Sequence, residues 1–209
     1  IAKIENGESY IVRLKSPGNI ENRVEFKDLI KGDLSLPENN IDIVIIKSDG
    51  LPTYHFAHAI DDGLMRTTHV IRGEEWLPSL PIHLQLFNAC GFKLPNYAHV
   101  APIMKLDGES RRKLSKRKDP ESSAEFYLEK GYPIKALFVY LYTLINSNFE
   151  EWYLENTDKS FKDFTFTFDK MAVGGTSFDL EKLTNIAKTY FSRKSGEEVY
   201  EETLAWAKK

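Results

Sequence analysis

Residues 68–76 read Thr68-His69-Val70-Ile71-Arg72-Gly73-Glu74-Glu75-Trp76, a strand-like run that passes directly into a charged and aromatic cluster. The strand pattern ends at Ile71, so Arg72 follows at the strand end. A planar guanidinium in this position suits bidentate binding of a carboxylate. The alternative is a structural salt bridge with a nearby acid, for which the sequence offers Asp61, Asp62 and Glu74.

Strands and helices alternate on both sides of this segment. A continuous apolar run, 41–46, predicts a strand buried on both faces, and a helix is predicted to begin near Thr53. Beyond the cluster, the apolar spacing predicts a helix over 79–90 and a strand over 97–104. This alternating order predicts an α/β fold with parallel pairing. Because ligands bind beyond the carboxyl ends of such strands, a site is expected at the cluster and at the loop after the last strand.

The flanking regions differ in character. The first forty residues are β-rich, with strands predicted over 10–14 and 24–30. The segment 106–118 lacks apolar periodicity, so we expect a mobile loop there. The remaining residues predict helices from an N-cap at Asp119 to Lys130, along 134–145, after Ser160, after Asp179 and over 197–208.

Composition narrows the class of protein. The 209 residues are 42% hydrophobic and 28% charged, with a formal net charge of -3, which is ordinary for a soluble globular protein. No apolar run approaches the roughly 20 residues of a membrane-spanning helix. Cys90 is the only cysteine. An internal disulfide and a cysteine-based zinc site are therefore excluded within this sequence, and a reducing compartment is expected.

A concentrated basic run occupies Arg111-Arg112-Lys113-Leu114-Ser115-Lys116-Arg117-Lys118. Six of its eight residues are basic although the whole chain is slightly acidic, and this favours a local anionic partner. Lys113 and Lys116 flank Ser115, so a loop can place both ammonium groups on one polyphosphate. The alternative is a solvated basic loop or an unspecific nucleic-acid patch.

The segment 113–117 resembles the second signature loop of class I aminoacyl-tRNA synthetases, in the form found in glutamyl-tRNA synthetases. Further matching segments surround it in the same order, namely Asp49–His55, Thr68–Trp76, Glu129–Pro133 and Phe178–Leu183. The ordered set is similar to bacterial-type glutamyl-tRNA synthetase across nearly the whole chain. The resemblance implies attachment of L-glutamate to tRNA(Glu) in two steps: ATP-dependent formation of glutamyl-adenylate, then transfer to the tRNA 3′ end.

The resemblance implies an ATP site that contains Glu75, Trp76, Ile103, Met104, Lys113, Leu114, Ser115 and Lys116. Lys113 and Lys116 are the expected catalytic cations, because adenylate formation places negative charge on the phosphates. Lys116 is the stronger candidate for the phosphate contact. Glu75 can accept from a ribose hydroxyl, and Trp76 can pack on the sugar or base, although burial at a helix start explains Trp76 equally well. Ile103 and Met104 can cover the adenine, although core packing better explains at least one of them. Mg²⁺ is expected together with ATP.

The glutamate site implied by the resemblance consists of Tyr54, His58 and Arg72. A half-buried core tyrosine is the plain alternative for Tyr54. His58 stands where many relatives carry asparagine, which leaves open whether it contacts substrate or fills space. His55 and His58 are three residues apart, but no third ligand stands at a matching spacing, so no metal site is predicted.

Four further basic residues exceed what ATP needs and are expected to face tRNA, without individual roles: Arg111, Arg112, Arg117 and Lys118. The expected fold is an α/β Rossmann-like half, with a parallel sheet and a β-rich insertion remnant, followed by an all-α stem-contact domain. Its regions are the end of the acceptor-arm insertion (1–40), the second half of the catalytic fold (41–105), the lysine loop with the stem-contact helices (106–192) and the start of the anticodon-binding region (193–209). We expect a cytoplasmic monomer that does not contact membranes.

The first signature of class I synthetases, His-x-Gly-His, does not occur in this sequence. Because the family carries it upstream of this region, we expect the sequence to be the central part of a longer protein that is not fully active by itself. Three other interpretations are open. A non-catalytic tRNA-binding fragment does not need the two-lysine loop, and a paralogue like glutamyl-Q-tRNA(Asp) synthetase does not need 178–191. An unrelated α/β nucleotidyltransferase does not need the helical C-terminal region.

Overall fold

Residues 2–208 are described by the computed structural model, and they form two compact units that divide between Val100 and Ala101. The first unit combines strands and helices around a parallel strand pair. The second unit is mainly helical. The predicted order, an α/β part followed by a helical part, is therefore confirmed.

In the first unit the described elements are α1 (Ala2–Glu5), β1 (Val12–Arg13), β2 (Arg23–Asp28), β3 (Gly32–Pro37), β4 (Val44–Ile46), α2 (Tyr54–Leu64), β5 (His69–Gly73), α3 (Leu80–Ala89) and β6 (Asn96–Val100). A 3-10 helix, Glu74–Ser79, connects β5 to α3. β5 and β6 pair in parallel, with His69 opposite Asn96 and Gly73 opposite Val100. The carboxyl ends of both strands therefore lie at the same edge, where α/β folds place their ligands.

Helices α2 and α3 pack against the strands through an apolar core. Ala59, Leu86 and Phe87 are buried, and half-buried side chains pack against them: Leu14, Ile43, Ile45, Phe56, Ile82 and Phe92. Burial of a side chain such as Leu86 or Phe87 contributes roughly 1.5–3 kcal/mol relative to exposure. Gly63 permits close packing of α2, because a Cβ at this position would overlap the Phe92 ring.

Strands β2 and β3 form an antiparallel hairpin whose turn is attached to β6. Asp28 lies opposite Gly32 at the end of the ladder, and Gly32 has a φ of +75°, a conformation that favours glycine. The backbone N–H of Leu29 donates to the carbonyl of Tyr97 at 2.9 Å. The hairpin turn and the parallel pair are thus joined by a main-chain hydrogen bond.

The strand prediction for 41–46 is wrong in its pairing. Only Val44–Ile46 is a strand, and β4 pairs antiparallel with β1 instead of joining a parallel sheet. The apolar character of this run has another cause, because Ile43 and Ile45 pack against the α2–α3 core. The prediction of burial on both faces is also wrong, because Ile41 is exposed and the residues of β4 are half-buried.

In the second unit the described elements are β7 (Ile103–Asp107), β8 (Ser110–Lys113), α4 (Ala124–Glu129), α5 (Ile134–Ile145), α6 (Phe149–Glu155), β9 (Thr176–Ser177), α7 (Leu180–Ser192) and α8 (Gly196–Ala207). Three short 3-10 helices, Pro120–Ser122, Phe161–Asp163 and Phe168–Lys170, connect them. β7 is the central strand of a three-stranded sheet, antiparallel to β8 and parallel to β9. The helical core is built on Tyr127, Tyr140, Leu144 and Leu183.

The β7–β8 hairpin corrects the expectation of a mobile loop over 106–118. Asp107 lies opposite Ser110 across a turn in which Gly108 has a φ of +63°. The hairpin is largely exposed and carries charged side chains on β8. Such a strand has no apolar period, so the sequence pattern could not indicate it, and the small sheet was missed for the same reason.

The connection between β6 and α4 also differs from the prediction. The predicted strand over 97–104 is two strands separated around Pro102, which has no N–H to donate to a ladder. Asp119 does not cap a long helix, because the 3-10 helix follows it and the Ser123 side chain caps α4 instead. The Asp119 carboxylate instead accepts the backbone N–H of Ser115, in the basic segment 113–117.

The other helix predictions are confirmed. The Asp179 side chain accepts the backbone N–H of Lys182 at the start of α7. Ser160 caps the 3-10 helix that follows it with a reciprocal capping box. α5 spans the predicted 134–145, and α8 covers the predicted polar helix near the C-terminus.

Candidate active site

Arg72 lies at the carboxyl end of β5 with a half-buried side chain. Its Nε donates to Nε2 of His99 at 3.0 Å, and its Nη1 lies 3.0 Å from Nδ1 of His83. Nη2 donates a longer bond, 3.5 Å, to the carbonyl of Trp76. The guanidinium carbon lies 4.7 Å from the centre of the Tyr97 ring, within cation–π range. The Arg72 side chain is therefore held from several sides at the edge of the parallel pair.

Two of the three acidic residues offered as salt-bridge partners for Arg72 have other contacts. Asp62 lies 2.6 Å from Nδ1 of His58, and Glu74 forms an ion pair with Lys31. These contacts favour a ligand-binding role for Arg72 over a salt bridge with either carboxylate.

Tyr54, at the start of α2, lies beside Arg72 and is open to solvent. Its ring centre is 4.5 Å from that of Trp76, and its ring is parallel to that of His58 at 6.1 Å. The interaction of Tyr54 with Arg72 opposes the lowering of the pKa of this guanidinium by burial. Tyr54 is nevertheless 52% exposed, which distinguishes it from a core tyrosine.

His58 connects α2 to β6 through both of its ring nitrogens. Nε2 lies 3.0 Å from the Tyr97 hydroxyl, and Nδ1 lies 2.6 Å from Asp62. The side chain is only 5% exposed. With both nitrogens engaged, His58 is better suited to shape the wall of the site than to bind a substrate atom.

Three histidines near Arg72, namely His55, His58 and His83, have lowered pKa values that favour their neutral form. Burial, and then the charge of Arg72, lowers the pKa of His83 to about 2. The same two causes lower the pKa of His55, and burial lowers that of His58 although Asp62 opposes the shift. Burial also lowers the pKa of Arg72, but a guanidinium keeps its proton in proteins. Arg72 is therefore a permanent positive charge among neutral rings, an environment suited to a carboxylate.

Glu75 and Trp76 follow Arg72 in the 3-10 helix. The Glu75 carboxylate folds over Gly73, where any Cβ would overlap it. Trp76 is half-buried, and its ring faces Tyr54. The structure thus brings the Trp76 ring within 6.0 Å of the Arg72 guanidinium carbon, and the exposed Glu75 side chain precedes Trp76 in the same 3-10 helix.

In the second unit the signature segment, residues 113–117, forms the end of β8 and a tight turn. The N–H of Leu114 donates to the carbonyl of Ile103 at 2.8 Å, and the carbonyl of Ser115 accepts from the N–H of Asp119 at 2.8 Å. The side chains of Lys113 and Lys116 are exposed. The backbone of the loop is therefore ordered, while both ammonium groups are at the surface.

The Asp119 carboxylate connects the two sides of this turn through hydrogen bonds. It is 2% exposed and accepts the N–H of Ser115 at 2.8 Å. Arg112 donates two bonds to it, at 2.6 and 2.9 Å, and Nζ of Lys105 lies 3.2 Å away. Hydrogen bonds from Arg112 and from Ser115 hold the pKa of the Asp119 carboxyl well below its usual range.

The four basic residues expected to face tRNA have different surroundings. Arg112 is engaged with two carboxylates, and Arg111 donates to a backbone carbonyl at 2.7 Å. Arg117 and Lys118 are exposed on the turn. Arg117 and Lys118 are therefore better placed for phosphate contacts than Arg112.

The two apolar residues expected beside adenine also differ. Ile103 packs against the helical core of its unit. Met104 lies against Gly175, where a Cβ would overlap its side chain. Core packing thus accounts for Ile103, in agreement with the alternative drawn from the sequence.

Sequence analysis missed three fully buried polar residues around Arg72, namely Asp28, His83 and His99. A signal was present for His99, because it is a polar residue among the apolar residues Tyr97, Ala98 and Val100 of a predicted strand. A polar side chain at such a position requires a hydrogen-bonding partner. The identity of that partner depends on the tertiary fold and could not be derived from the local pattern.

Two further properties concern metals and membranes. Among residues 2–208, no three His, Cys, Asp or Glu side chains are grouped so that they could hold a metal ion. No helix in this part of the chain combines the length and apolar character needed to cross a membrane.

The fold, the Arg72 site and the lysine loop together define a class I tRNA synthetase. Over residues 2–185 the chain matches the family described as tRNA synthetases class I (E and Q), catalytic domain, and it belongs to this family.

The curated relatives it matches are glutamate–tRNA ligases. That of Clostridium perfringens (strain 13 / Type A) is 59% identical over 208 residues, and that of Acetivibrio thermocellus is 51% identical over 205 residues. The matches cover 100% and 98% of this chain but 38% of each relative. The crystal structure of a glutamate tRNA ligase from Elizabethkingia meningosepticum, in complex with its amino acid, is 33% identical with a TM-score of 0.79. That match covers 95% of this chain and 42% of the other.

Proposed function

We propose that this chain forms part of a ligase that attaches L-glutamate to tRNA(Glu) at the expense of ATP. In the first step a carboxylate oxygen of glutamate attacks the α-phosphorus of ATP, the bond to pyrophosphate breaks, and glutamyl-adenylate forms. In the second step a ribose hydroxyl at the tRNA 3′ end attacks the glutamyl carbonyl and AMP leaves. Identity with glutamate–tRNA ligases along the whole chain supports this proposal. The structural observation that carries it is the Arg72 guanidinium, fixed by buried partners at the strand edge.

In this proposal Arg72 and Tyr54 bind glutamate, and His58 shapes the wall of the pocket. A guanidinium can bind a carboxylate through two parallel hydrogen bonds, each worth roughly 1.5–3 kcal/mol for a charged group. The Tyr54 hydroxyl, on a ring packed beside Trp76, can add a further contact. Aspartate is one methylene shorter than glutamate and glutamine lacks the charge, so a pocket built around Arg72 discriminates against both.

Lys113 and Lys116 are proposed to stabilise the charge that develops on the phosphates during adenylate formation. Their exposure on an ordered turn supports this role, because a mobile polyphosphate can reach both ammonium groups. Leu114 and Ser115 shape the turn, whereas Glu75, Trp76 and Met104 are proposed for the ribose and base. Mg²⁺ would be carried by the ATP phosphates, which is the usual mode for this ion, and would neutralise part of their charge.

The helical unit is proposed to contact tRNA, with Arg117 and Lys118 as the phosphate-binding residues nearest the lysine loop. Such contacts make affinity strongly dependent on salt. The regions 1–40, 41–105, 106–192 and 193–209 are proposed to serve as insertion remnant, catalytic half-fold, stem-contact domain and anticodon-region start. A cytoplasmic monomer that does not contact membranes is proposed for the protein.

Glutamate-dependent ATP–pyrophosphate exchange tests this function in a full-length ligase that carries these 209 residues. The assay is run with and without tRNA(Glu), because many glutamyl-tRNA synthetases require tRNA for this step. Exchange that depends on glutamate, and not on aspartate or glutamine, is the expected result. Binding of tRNA without any exchange would instead indicate the non-catalytic RNA-binding interpretation. Glutamate transfer to tRNA(Asp) alone would indicate the paralogue.

A further inference from the structure

A continuous line of hydrogen-bonded side chains runs through Arg72. On one side, Asp28 Oδ2 lies 2.6 Å from Nδ1 of His99, and His99 Nε2 accepts from Nε of Arg72 at 3.0 Å. On the other side, Nη1 of Arg72 lies 3.0 Å from Nδ1 of His83, whose Nε2 lies 2.9 Å from Nδ1 of His55. The side chains of Asp28 and His99 are both 0% exposed.

Proton positions along this line follow from Arg72, because a guanidinium only donates. His99 Nε2 must be an acceptor, so the proton of this neutral ring is on Nδ1 and is donated to Asp28. In the same way His83 accepts on Nδ1, carries its proton on Nε2 and donates to His55. The carboxylate therefore selects the His99 tautomer that can accept from Arg72.

Asp28 is itself fixed by the turn of the β2–β3 hairpin. Its Oδ1 accepts the backbone N–H groups of Ile30 and Lys31, both at 2.9 Å, and its carboxylate also accepts the N–H of His99 at 3.2 Å. Burial would raise the pKa of Asp28, but hydrogen bonds from the His99 ring and from these backbone groups lower it overall. Lys31 in the same turn forms an ion pair with Glu74, two residues after Arg72.

From this geometry we infer that Asp28 and His99 are positioning residues that orient the Arg72 guanidinium for glutamate. The β2–β3 turn, which holds Asp28, therefore contributes to the amino-acid site. The inference rests on the proposed function, because it takes glutamate as the ligand of Arg72. Neither residue contacts the substrate. Their effect is to fix the plane in which the two donors of Arg72 meet a carboxylate, and small misplacement of such a group is costly.

Two substitutions of His99 separate its two hydrogen bonds. In His99→Gln, the amide oxygen can take the place of Nε2 and still accept from Arg72. In His99→Asn, the amide can take the place of Nδ1 and still donate to Asp28, but it does not reach Arg72. We expect His99→Gln to keep the KM for glutamate within about threefold of the parent, and His99→Asn to raise it about 10-fold or more, because misplacement of a substrate-binding group is costly.

Asp28→Asn tests the tautomer. Its amide oxygen keeps the backbone N–H groups of the turn, so its NH₂ group faces Nδ1 of His99 and forces the ring proton onto Nε2, against Nε–H of Arg72. A comparable carboxylate-to-amide change in the serine protease triad acts through the wrong tautomer. We expect kcat/KM for glutamate to fall about 10–100-fold through misplacement of the guanidinium, with an unchanged KM for ATP.

The variants are compared in the full-length ligase by pyrophosphate exchange at saturating tRNA, with melting temperatures measured in parallel. If Asp28→Asn fails to fold, the His99 pair decides alone, because both of its members lose one buried bond. Equal glutamate KM values for His99→Asn and His99→Gln would overturn the positioning role. An increase in the KM for ATP as large as the increase in the KM for glutamate would overturn it as well. Absence of exchange in the parent enzyme would instead reject the proposed function.

Discussion

The Asp119 carboxylate accepts the backbone N–H of Ser115 at 2.8 Å and so closes the turn that carries Lys116. The same carboxylate receives two hydrogen bonds from Arg112. One buried acid therefore connects β8, where Arg112 lies, to the turn of the signature segment. The position of the lysine ammonium groups depends on this connection.

Replacement of Asp119 by Asn is expected to slow adenylate formation about 10-fold, because an amide cannot serve as acceptor for Ser115 and for both Arg112 donors at once. The change is measured by pyrophosphate exchange at saturating glutamate and tRNA. Asp107→Asn is the matched control, since Asp107 also pairs with Arg112 but is exposed and does not touch Ser115. Equal effects of the two substitutions would contradict a specific role for Asp119.

Replacement of Lys116 by Ala is expected to lower the rate of adenylate formation by about 10²–10³-fold, the usual cost of losing one well-placed donor to a developing charge. The KM for glutamate should change little, because Lys116 is proposed to act on the phosphates. Lys118→Ala removes the same charge from the same turn and serves as the control at saturating tRNA. Adenylate formation within about threefold of the parent in Lys116→Ala would exclude the proposed contact.

Replacement of Arg72 by Gln is expected to impair glutamate activation while tRNA affinity stays nearly unchanged. Arg72→Lys should not restore activity, because an ammonium group cannot reproduce the planar fork held by His99 and His83. Glutamate KM and kcat are measured by exchange, and tRNA affinity by filter binding at fixed salt. The reverse pattern, with weakened tRNA binding and normal glutamate activation, would rule out Arg72 as the glutamate ligand.

Sequence patterns correctly predicted the features that depend on neighbouring residues, namely helix caps and helix spans. The caps at Asp179 and Ser160 and the helix along 134–145 were correct, because cap chemistry and a 3.6-residue period act within a few residues. The pairing of β4 with β1 and the hairpin that ends in Lys113 were not predictable in this way. They depend on contacts between distant residues and on a strand whose exposed side chains carry no apolar signal.

The candidate site shows the same difference between features set by nearby residues and features set by distant ones. Arg72 was predicted as a site residue because it stands at a strand end, and Tyr54 and Trp76 because a family resemblance pointed to them. Asp28 lies 71 residues from His99 in the chain, and the hydrophobic period gives no information about such a pair. Only the fold brings the hairpin turn onto β6, so the partners that orient Arg72 were absent from the prediction.

The buried histidines predict a loss of stability in mild acid. His83 has a folded pKa of about 2, whereas an unfolded histidine titrates near pH 6.5. The folded-state pKa is the lower one, so the unfolded chain binds more protons between these values, and the free energy of unfolding falls as the pH decreases below about 6.5. One such group contributes roughly 1.4 kcal/mol per pH unit once the unfolded histidine is protonated. The lowered pKa values of His55 and His58 act with the same sign.

Urea unfolding at about pH 7, 6 and 5 measures this dependence, because carboxylates with lowered pKa values, such as Asp28 and Asp119, lose their contribution to stability mainly below about pH 5. His83→Gln should reduce the slope of the unfolding free energy against pH, since it removes a group that takes up a proton only on unfolding. A slope in His83→Gln equal to that of the parent would mean that His83 is not the buried neutral ring on which the Arg72 geometry depends.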